Sequence, residues 1–529
     1  MRKNFAPLFI FLLPIFFILR LFAQNLTEVE FIVILRPLLI LSLLTFCLYR
    51  IFRLFVPDSI KSAIITFILM ILFLTYGGVH DFLKSNLIFG FNLSHHRILG
   101  VLWAILILLS TILIVVKKKP FNNIVVTFLN ITLAILILIS SVEIISGLPG
   151  KITARNSSSN REVKAQSSWL EDNAQRLEVE ANASLPDIYY IIPDMFARND
   201  AIKEFTGYDN SQFISELKDL GFYIAECSRS NYASTQLSIT SSLNAHYLDA
   251  IQSGMSDRGM LYEPMSNSLV RSSLEEIGYK TVVFNNEFGL QEVRDPDLLI
   301  SQKQRFFLFR PFSPFENMLV YGSFLRIGYD VNLGFFSTLY DRLFFPYRGY
   351  VGAQMNILEE LPLLTDIETP KFVFAHIMVP HPPFLFREDG SIETDSDYYR
   401  EALGQPVTMD LYIEGYRRQI VFIEGRLIEI VEEIINNSDT PPIIIIQGDH
   451  GIDRSTRMDI LNAFYVPDEV KDKLYPTITP VNTFRVIFNN VFGTQYEPIP
   501  DRSWYSVYPN WFEIEIASEN NPGCVLKEK

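Results

Sequence analysis

Four histidines follow residue 150, and three of them stand just past short apolar runs. The run KFVFAHIM (371–378) carries His376 and leads into VPHPPF with His381. PPIIIIQ (441–447) ends in GDHG, with Asp449 and His450, and DIYYIIP (187–193) is followed by Asp194. The fourth histidine, His246, follows a hydroxyl-rich segment within NYASTQLSITSSLNAHYL (231–248). A single histidine at a strand end ordinarily has a structural partner, whereas several strand ends carrying Asp or His together point to one site. Two carboxylates, an imidazole and a hydroxyl oxygen make a ligand set for a divalent cation, which lowers the hydroxyl pKa and neutralises an anionic ester under attack. An imidazole in the set favours zinc or manganese over calcium or magnesium. The hydroxyls themselves have two readings. Ser234 or Thr235 caps a helix, or one of them is a nucleophile at a helix start, where backbone N–H groups and the dipole help hold an anion.

These residues need elements that bring them together. From Leu185 on, short β-rich runs, KTVVF (280–284) among them, alternate with amphipathic segments such as NSQFISELKDLGF and YRRQIVFIEGRLIEIVEEIINN. Continuous apolar strands between helices predict an α/β sheet covered on both faces. In such sheets functional groups gather beyond the carboxyl ends of the strands.

The chain is 529 residues long, more than one ordinary domain. Its mean hydropathy of +0.20 is high for a soluble enzyme. The excess lies in front: residues 1–150 carry 12 basic and 5 acidic side chains, and the remainder carries 33 and 54. An acidic globular part disfavours nucleic acid as a partner, because phosphate binding needs a basic field. Five apolar stretches, at about 6–23, 31–49, 62–79, 98–116 and 122–146, each approach the ~20 residues that cross a bilayer as helix. Basic residues favour alternate loops: Arg2 and Lys3, then Arg50, Arg53 and Lys61, then Lys117, Lys118 and Lys119, against none in QNLTEVE and Lys84 and Arg97 in the longer loop between spans three and four. The more basic set is expected in the cytoplasm, which places residues 150–529 outside. Arg20 and Arg36 lie inside spans and are expected to snorkel. A cleaved signal peptide ending near LFA would leave four spans and the same outcome.

Asp194 after its strand, FTGYDNSQFISELKDLGF, the hydroxyl-rich segment, HIMVPHPPF and IIIIQGDHG, in that order behind five spans, resemble the alkaline phosphatase/sulfatase superfamily. Within it they are similar to the membrane branch that includes lipoteichoic acid synthases and phosphoethanolamine transferases. The resemblance implies a transmembrane domain (1–147), a linker (148–185), a sulfatase-like catalytic domain (186–495) with a mixed, mostly parallel sheet, and a C-terminal tail (496–529). By position it implies Asp194, Thr235, Asp449 and His450 as metal ligands, Thr235 as nucleophile and His381 as the contact to the transferred anionic group. His376 is expected to be structural. The branch often has Glu where Asp194 stands, and sulfatases have Asp.

The function this implies is a multi-pass plasma-membrane enzyme with an extracytoplasmic catalytic domain. It would move a phospho-headgroup from a lipid donor to an envelope glycan or lipid acceptor through a covalent threonine intermediate. Alternatives are a phosphate- or sulfate-ester hydrolase using the same site and an inactive, glycan-binding relative. Cys227 lies in CSRSN, which lacks the Pro or Ala two residues on and the Arg four residues on that formylglycine formation needs, and threonine cannot undergo that oxidation. Three cysteines, Cys47, Cys227 and Cys524, exclude a disulfide-stapled scaffold.

Overall fold

The computed structural model describes residues 6–524 apart from 27–30, 87–93, 119–120, 122, 154–168, 180–184, 252–257, 287–292, 294, 303–311, 331–346, 368–369, 394, 396–397, 399–406, 454, 508–509 and 518–523. Two compact units emerge, residues 1–155 with 304–349, and residues 156–303 with 350–529. The aromatic-rich stretch 304–349 thus separates from the span 186–495 expected as one continuous domain, and belongs to the first unit. The NSSSN part of the expected linker lies outside the described residues.

The first unit contains α1 (Phe9–Gln24), α2 (Leu35–Phe55), α3 (Ser59–Ser85), α4 (His96–Val116) and α5 (Asn123–Thr153). Four of these, α2 to α5, are long and apolar enough to cross a membrane, and α1 is a shorter apolar helix interrupted by Pro14. The large apolar side chains left exposed along α2, α4 and α5 match a lipid solvent, and the chain is a membrane protein. The two intraspan arginines differ: Arg20 keeps an exposed side chain, and Arg36, expected to snorkel, is buried instead. Arg20 pairs with Glu143 of α5. Arg36 is fully buried and meets Glu316 through Nε and Nη2, the two-pronged geometry suited to a carboxylate. Glu316 sits in the first turn of the helix Pro314–Gly322, whose Ser313 forms a capping box with it. The same segment returns Arg326 to Asp81 at 2.7 Å. Gly77 admits this packing, since a Cβ there would fall 2.1 Å from the Tyr321 carbonyl oxygen.

The second unit is built on a seven-stranded sheet, ordered β2-β7-β6-β1-β5-β3-β4. The strands are β1 (Ile188–Pro193), β2 (Tyr223–Ile224), β3 (Lys280–Phe284), β4 (Leu298–Ile300), β5 (Lys371–Ile377), β6 (Ile443–Gln447) and β7 (Asn462–Tyr465). Only β7 runs against the rest, pairing antiparallel with both β6 and β2. Every residue of β1, β5 and β6 is buried, as central parallel strands covered on both faces require. Buried Lys371 opens β5 and is held by Asp187 just before β1, an ion pair that joins the amino ends of neighbouring strands.

Residues 496–529 are more than a tail. Strands β8 (Trp504–Val507) and β9 (Asn510–Ile516) form a hairpin. Trp504 stacks on Tyr232 with centroids 5.4 Å apart, and its backbone N–H donates to Asn231 O at 2.8 Å. Cys524 is bonded to Cys227, with Cα atoms 5.5 Å apart. The cysteine count excluded a scaffold of many disulfides, but spacing along the chain gave no sign of this single one, which joins positions 297 residues apart.

Candidate metal centre and nucleophile

Strands β6, β1 and β5 are immediate neighbours, and their carboxyl ends carry the candidate residues. Register aligns Ile192 with His376 and Ile191 with Ile446. Asp194 therefore follows β1 in the middle, His376 stands near the end of β5 on one side, and Asp449 and His450 follow β6 on the other. Gly448 permits the close approach: a Cβ there would lie 2.2 Å from Phe196 O.

His450 Nε2 is the hub of the cluster. It lies 3.7 Å from Asp194 Oδ1, 3.4 Å from Asp449 Oδ2 and 3.3 Å from Thr235 Oγ1. Its other nitrogen, Nδ1, is 2.9 Å from Gly451 O. A carbonyl accepts only, so Nδ1 carries the ring proton and Nε2 offers its lone pair to the cluster. Asp194, Asp449 and His450 each contribute one ligand atom, all within 4.8 Å of one another. Both oxygens of Asp194 and Oδ2 of Asp449 are buried and accept no hydrogen bond of ordinary geometry. Buried carboxylate oxygens left without donors are costly. A divalent cation would satisfy them, so these residues fit a metal.

Thr235 is the first residue of the helix Thr235–Leu243, with Ser234 at the N-cap. Ser234 makes no side-chain capping bond, and the Thr235 hydroxyl turns to His450, so capping does not account for these hydroxyls. His381 is half-buried on the same side, its ring centroid 6.4 Å from that of His450. His376, expected to be structural, has Nε2 3.3 Å from Asp194 Oδ2 and a ring oriented by Asn286, whose Nδ2 is 3.1 Å from Nδ1. His246 is elsewhere, edge-on to Trp169 and Tyr247.

Burial opposes charge on Asp194, but His381, His376 and His450 outweigh it and hold the carboxyl well below the usual range. Asp449 is pushed up, first by burial and then by the charge of Asp194. Burial, followed by the Arg457 guanidinium, drives His450 well below an ordinary imidazole, which keeps it neutral and suited to ligation.

Three contributors were not legible in the sequence. Met195, between the carboxylates, has φ 66° and donates its N–H to Asp449 Oδ1 at 2.8 Å. Tyr416, from the helix Met409–Asn437, donates to Met195 O at 2.9 Å. Arg457 reaches His450 Nε2 with Nη2 at 3.0 Å. Only Arg457, a cation seven residues after His450, left a trace that a reader could have followed.

No family model and no curated protein match the sequence. Among solved structures the chain is similar to the integral membrane protein lipooligosaccharide phosphoethanolamine transferase A of Neisseria meningitidis, at 12% identity and a TM-score of 0.39, over 91% of this chain and 95% of that one. It is also similar to the C-terminal periplasmic domain of EptC from Escherichia coli in complex with zinc, at 9% identity and a TM-score of 0.38, over 61% and 87% of the two chains. A third is BT1596, a 2-O GAG sulfatase, at 12% identity and a TM-score of 0.36, over 59% and 72%.

Proposed function

We propose that the chain is a membrane-anchored, metal-dependent transferase that moves a phospho-headgroup from a lipid to an envelope acceptor through a covalent adduct on Thr235. The observation that carries this reading is the approach of the Thr235 hydroxyl to His450 Nε2, beside two buried carboxylates of which three oxygens, both of Asp194 and Oδ2 of Asp449, lack donors. Asp194, Asp449 and His450 would hold the metal, with Thr235 completing the set and zinc or manganese matching the donors. When bound, the metal supplies Lewis-acid polarisation and a lowered hydroxyl pKa.

The chain's own residues do the rest. His376 holds Asp194 in place. The Thr235 oxygen forms a bond to phosphorus as the bond to the leaving alcohol breaks. The proton given up by the hydroxyl is matched by one taken up by that alcohol. His381 contacts the anionic group, and the positive end of the helix that starts at Thr235 favours the same charge. An acceptor hydroxyl then displaces the threonine and regenerates it.

The basic loops of the first unit and the Cys227–Cys524 bond of the second both favour an extracytoplasmic site, since structural disulfides persist in oxidising compartments. Intact-protein mass spectrometry after incubation with phospholipid donors tests the reading. A headgroup-sized mass increment on the native chain, absent in Thr235→Ala, is expected. Turnover with no adduct in either protein would end the covalent mechanism, and an adduct released only to water would make the enzyme a hydrolase.

A further inference from the structure

Arg457 is held where a cation binder ordinarily tolerates no second cation. Its guanidinium is fixed by three carbonyls: Nε donates to Ala233 O at 2.9 Å, and Nη1 donates to Gly451 O at 3.3 Å and Ile452 O at 3.2 Å. Asp453 Oδ1 accepts from the backbone N–H groups of Ser455 and Thr456 and from both their hydroxyls. Gly451 N donates back to Arg457 O at 2.6 Å. A Cβ on Gly451 would lie 2.0 Å from Thr456 O, so the loop closes on itself without room to spare. The remaining prong, Nη2, takes the lone pair of His450 Nε2 at 3.0 Å.

That lone pair is the one the metal site needs. Nδ1 is committed to Gly451 O, so Nε2 is the only nitrogen His450 has to offer. A guanidinium and a divalent cation cannot both occupy one lone pair, and each repels the other across it. Arg457 must therefore release Nε2 when metal binds, while its three carbonyl anchors keep its charge at the site. A retained positive charge beside a metal is stabilised by an anion that bridges the two. Thr235 Oγ1 and Arg457 Nη2 lie against the same nitrogen, at 3.3 and 3.0 Å, so the oxyanion of an ester poised for attack by Thr235 comes within reach of the freed prong.

We propose that Arg457 is an exchange residue: it occupies His450 Nε2 until metal arrives, then transfers to an oxygen of the tetrahedral anionic group, so that metal and anionic ester bind with positive coupling. This rests on the metal reading above and adds to it that the site is weak for metal alone and strong for metal with a phosphoryl or sulfuryl ester. Coupling is reciprocal, so each ligand tightens the other by the same factor.

The test is calorimetric titration of the full-length protein in detergent with Mn²⁺, alone, with phenylphosphonate and with sulfate. In the native protein the favoured anion should tighten Mn²⁺ binding by roughly 5- to 100-fold, and the arm that does so identifies phosphoryl or sulfuryl preference. Arg457→Ala should bind Mn²⁺ alone at least as tightly as the native chain and lose the anion effect. Arg457→Lys, which keeps charge without the planar fork, should retain part of it. Circular dichroism confirms that a variant is folded, and the lysine variant decides if the alanine one is not. Equal anion effects in native and variant proteins, no anion effect in the native protein, or weaker metal binding in folded Arg457→Ala would each overturn the proposal. A native protein that binds no Mn²⁺ or Zn²⁺ would instead remove the metal reading beneath it.

Discussion

Met195 adopts a left-handed backbone conformation at φ 66°, which costs a residue with a side chain about 1–3 kcal/mol. Its neighbours over-determine it. Asp194 N donates to Ile377 O, Met195 N to Asp449 Oδ1, Leu461 N to Phe196 O, and Tyr416 OH to Met195 O. The strained residue thus links the two carboxylates, and Tyr416 holds it. Tyr416→Phe should weaken metal binding by about 10-fold, as loss of a supporting hydrogen bond to a metal site commonly does. The metal-free melting temperature should fall as well, because the buried Met195 carbonyl loses its donor, and calorimetry together with thermal denaturation separates the two effects. His450→Ala removes the hub nitrogen, so the folded variant should purify with little zinc or manganese. Full occupancy by elemental analysis would show that His450 is not a ligand.

Among the elements, the order of β6, β1 and β5 converts three separated sequence positions into one site. In the first unit, the helix Pro314–Gly322 depends on one ion pair in the same way. Removing one partner of a buried pair leaves the other charge uncompensated, at a cost of about 3–5 kcal/mol. Glu316→Ala should therefore lower the melting temperature sharply. The apolar pair Arg36→Met with Glu316→Leu should recover much of the loss, which a double-mutant cycle would measure. On the helix Met409–Asn437, Glu424 accepts hydrogen bonds from Asn210 and Tyr208, yet burial, the larger effect, pushes it up to about 7. Its folded value lies above its unfolded one, so its contribution is fully present below about pH 4.5 and is lost as pH rises to about 7, a change of order 3 kcal/mol at most. Glu424→Gln should flatten that slope, leaving the variant more stable than the native protein at pH 8 and little changed near pH 4.5. Parallel melting curves for the two proteins across that window would refute the assignment.

For the molecule as a whole, Cys227 and Cys524 matter more than their spacing suggests. Cys227 lies eight residues before Thr235, and its bond ties the C-terminal segment to the loop that leads into the helix Thr235 opens. Cys227→Ser should cost about 2–4 kcal/mol of stability while turnover per folded molecule persists, because the thiol takes no part in the chemistry. Non-reducing peptide mapping of protein from intact cells should recover the pair. A reporter active only in the cytoplasm, fused after Lys529, should be silent, and strong reporter activity would reverse the topology.

The apolar runs, the charge division and the Asp and His residues at strand ends were legible because each is local. A buried parallel strand must be continuously apolar, a lipid-facing helix must be long and apolar, and catalytic groups of α/β sheets follow strand ends. Asp194, His381, Asp449 and His450 fall together in the structure for that reason, while Thr235 joins them from a helix start. What only the tertiary structure decided depends on contacts between distant positions. Spacing along the chain could not pair Cys227 with Cys524, place Glu316 against Arg36, assign 304–349 to the first unit or turn His376 toward Asp194. Nor could residue type foretell the strained backbone of Met195, because a left-handed methionine is unfavourable by itself and persists only where surrounding hydrogen bonds compel it.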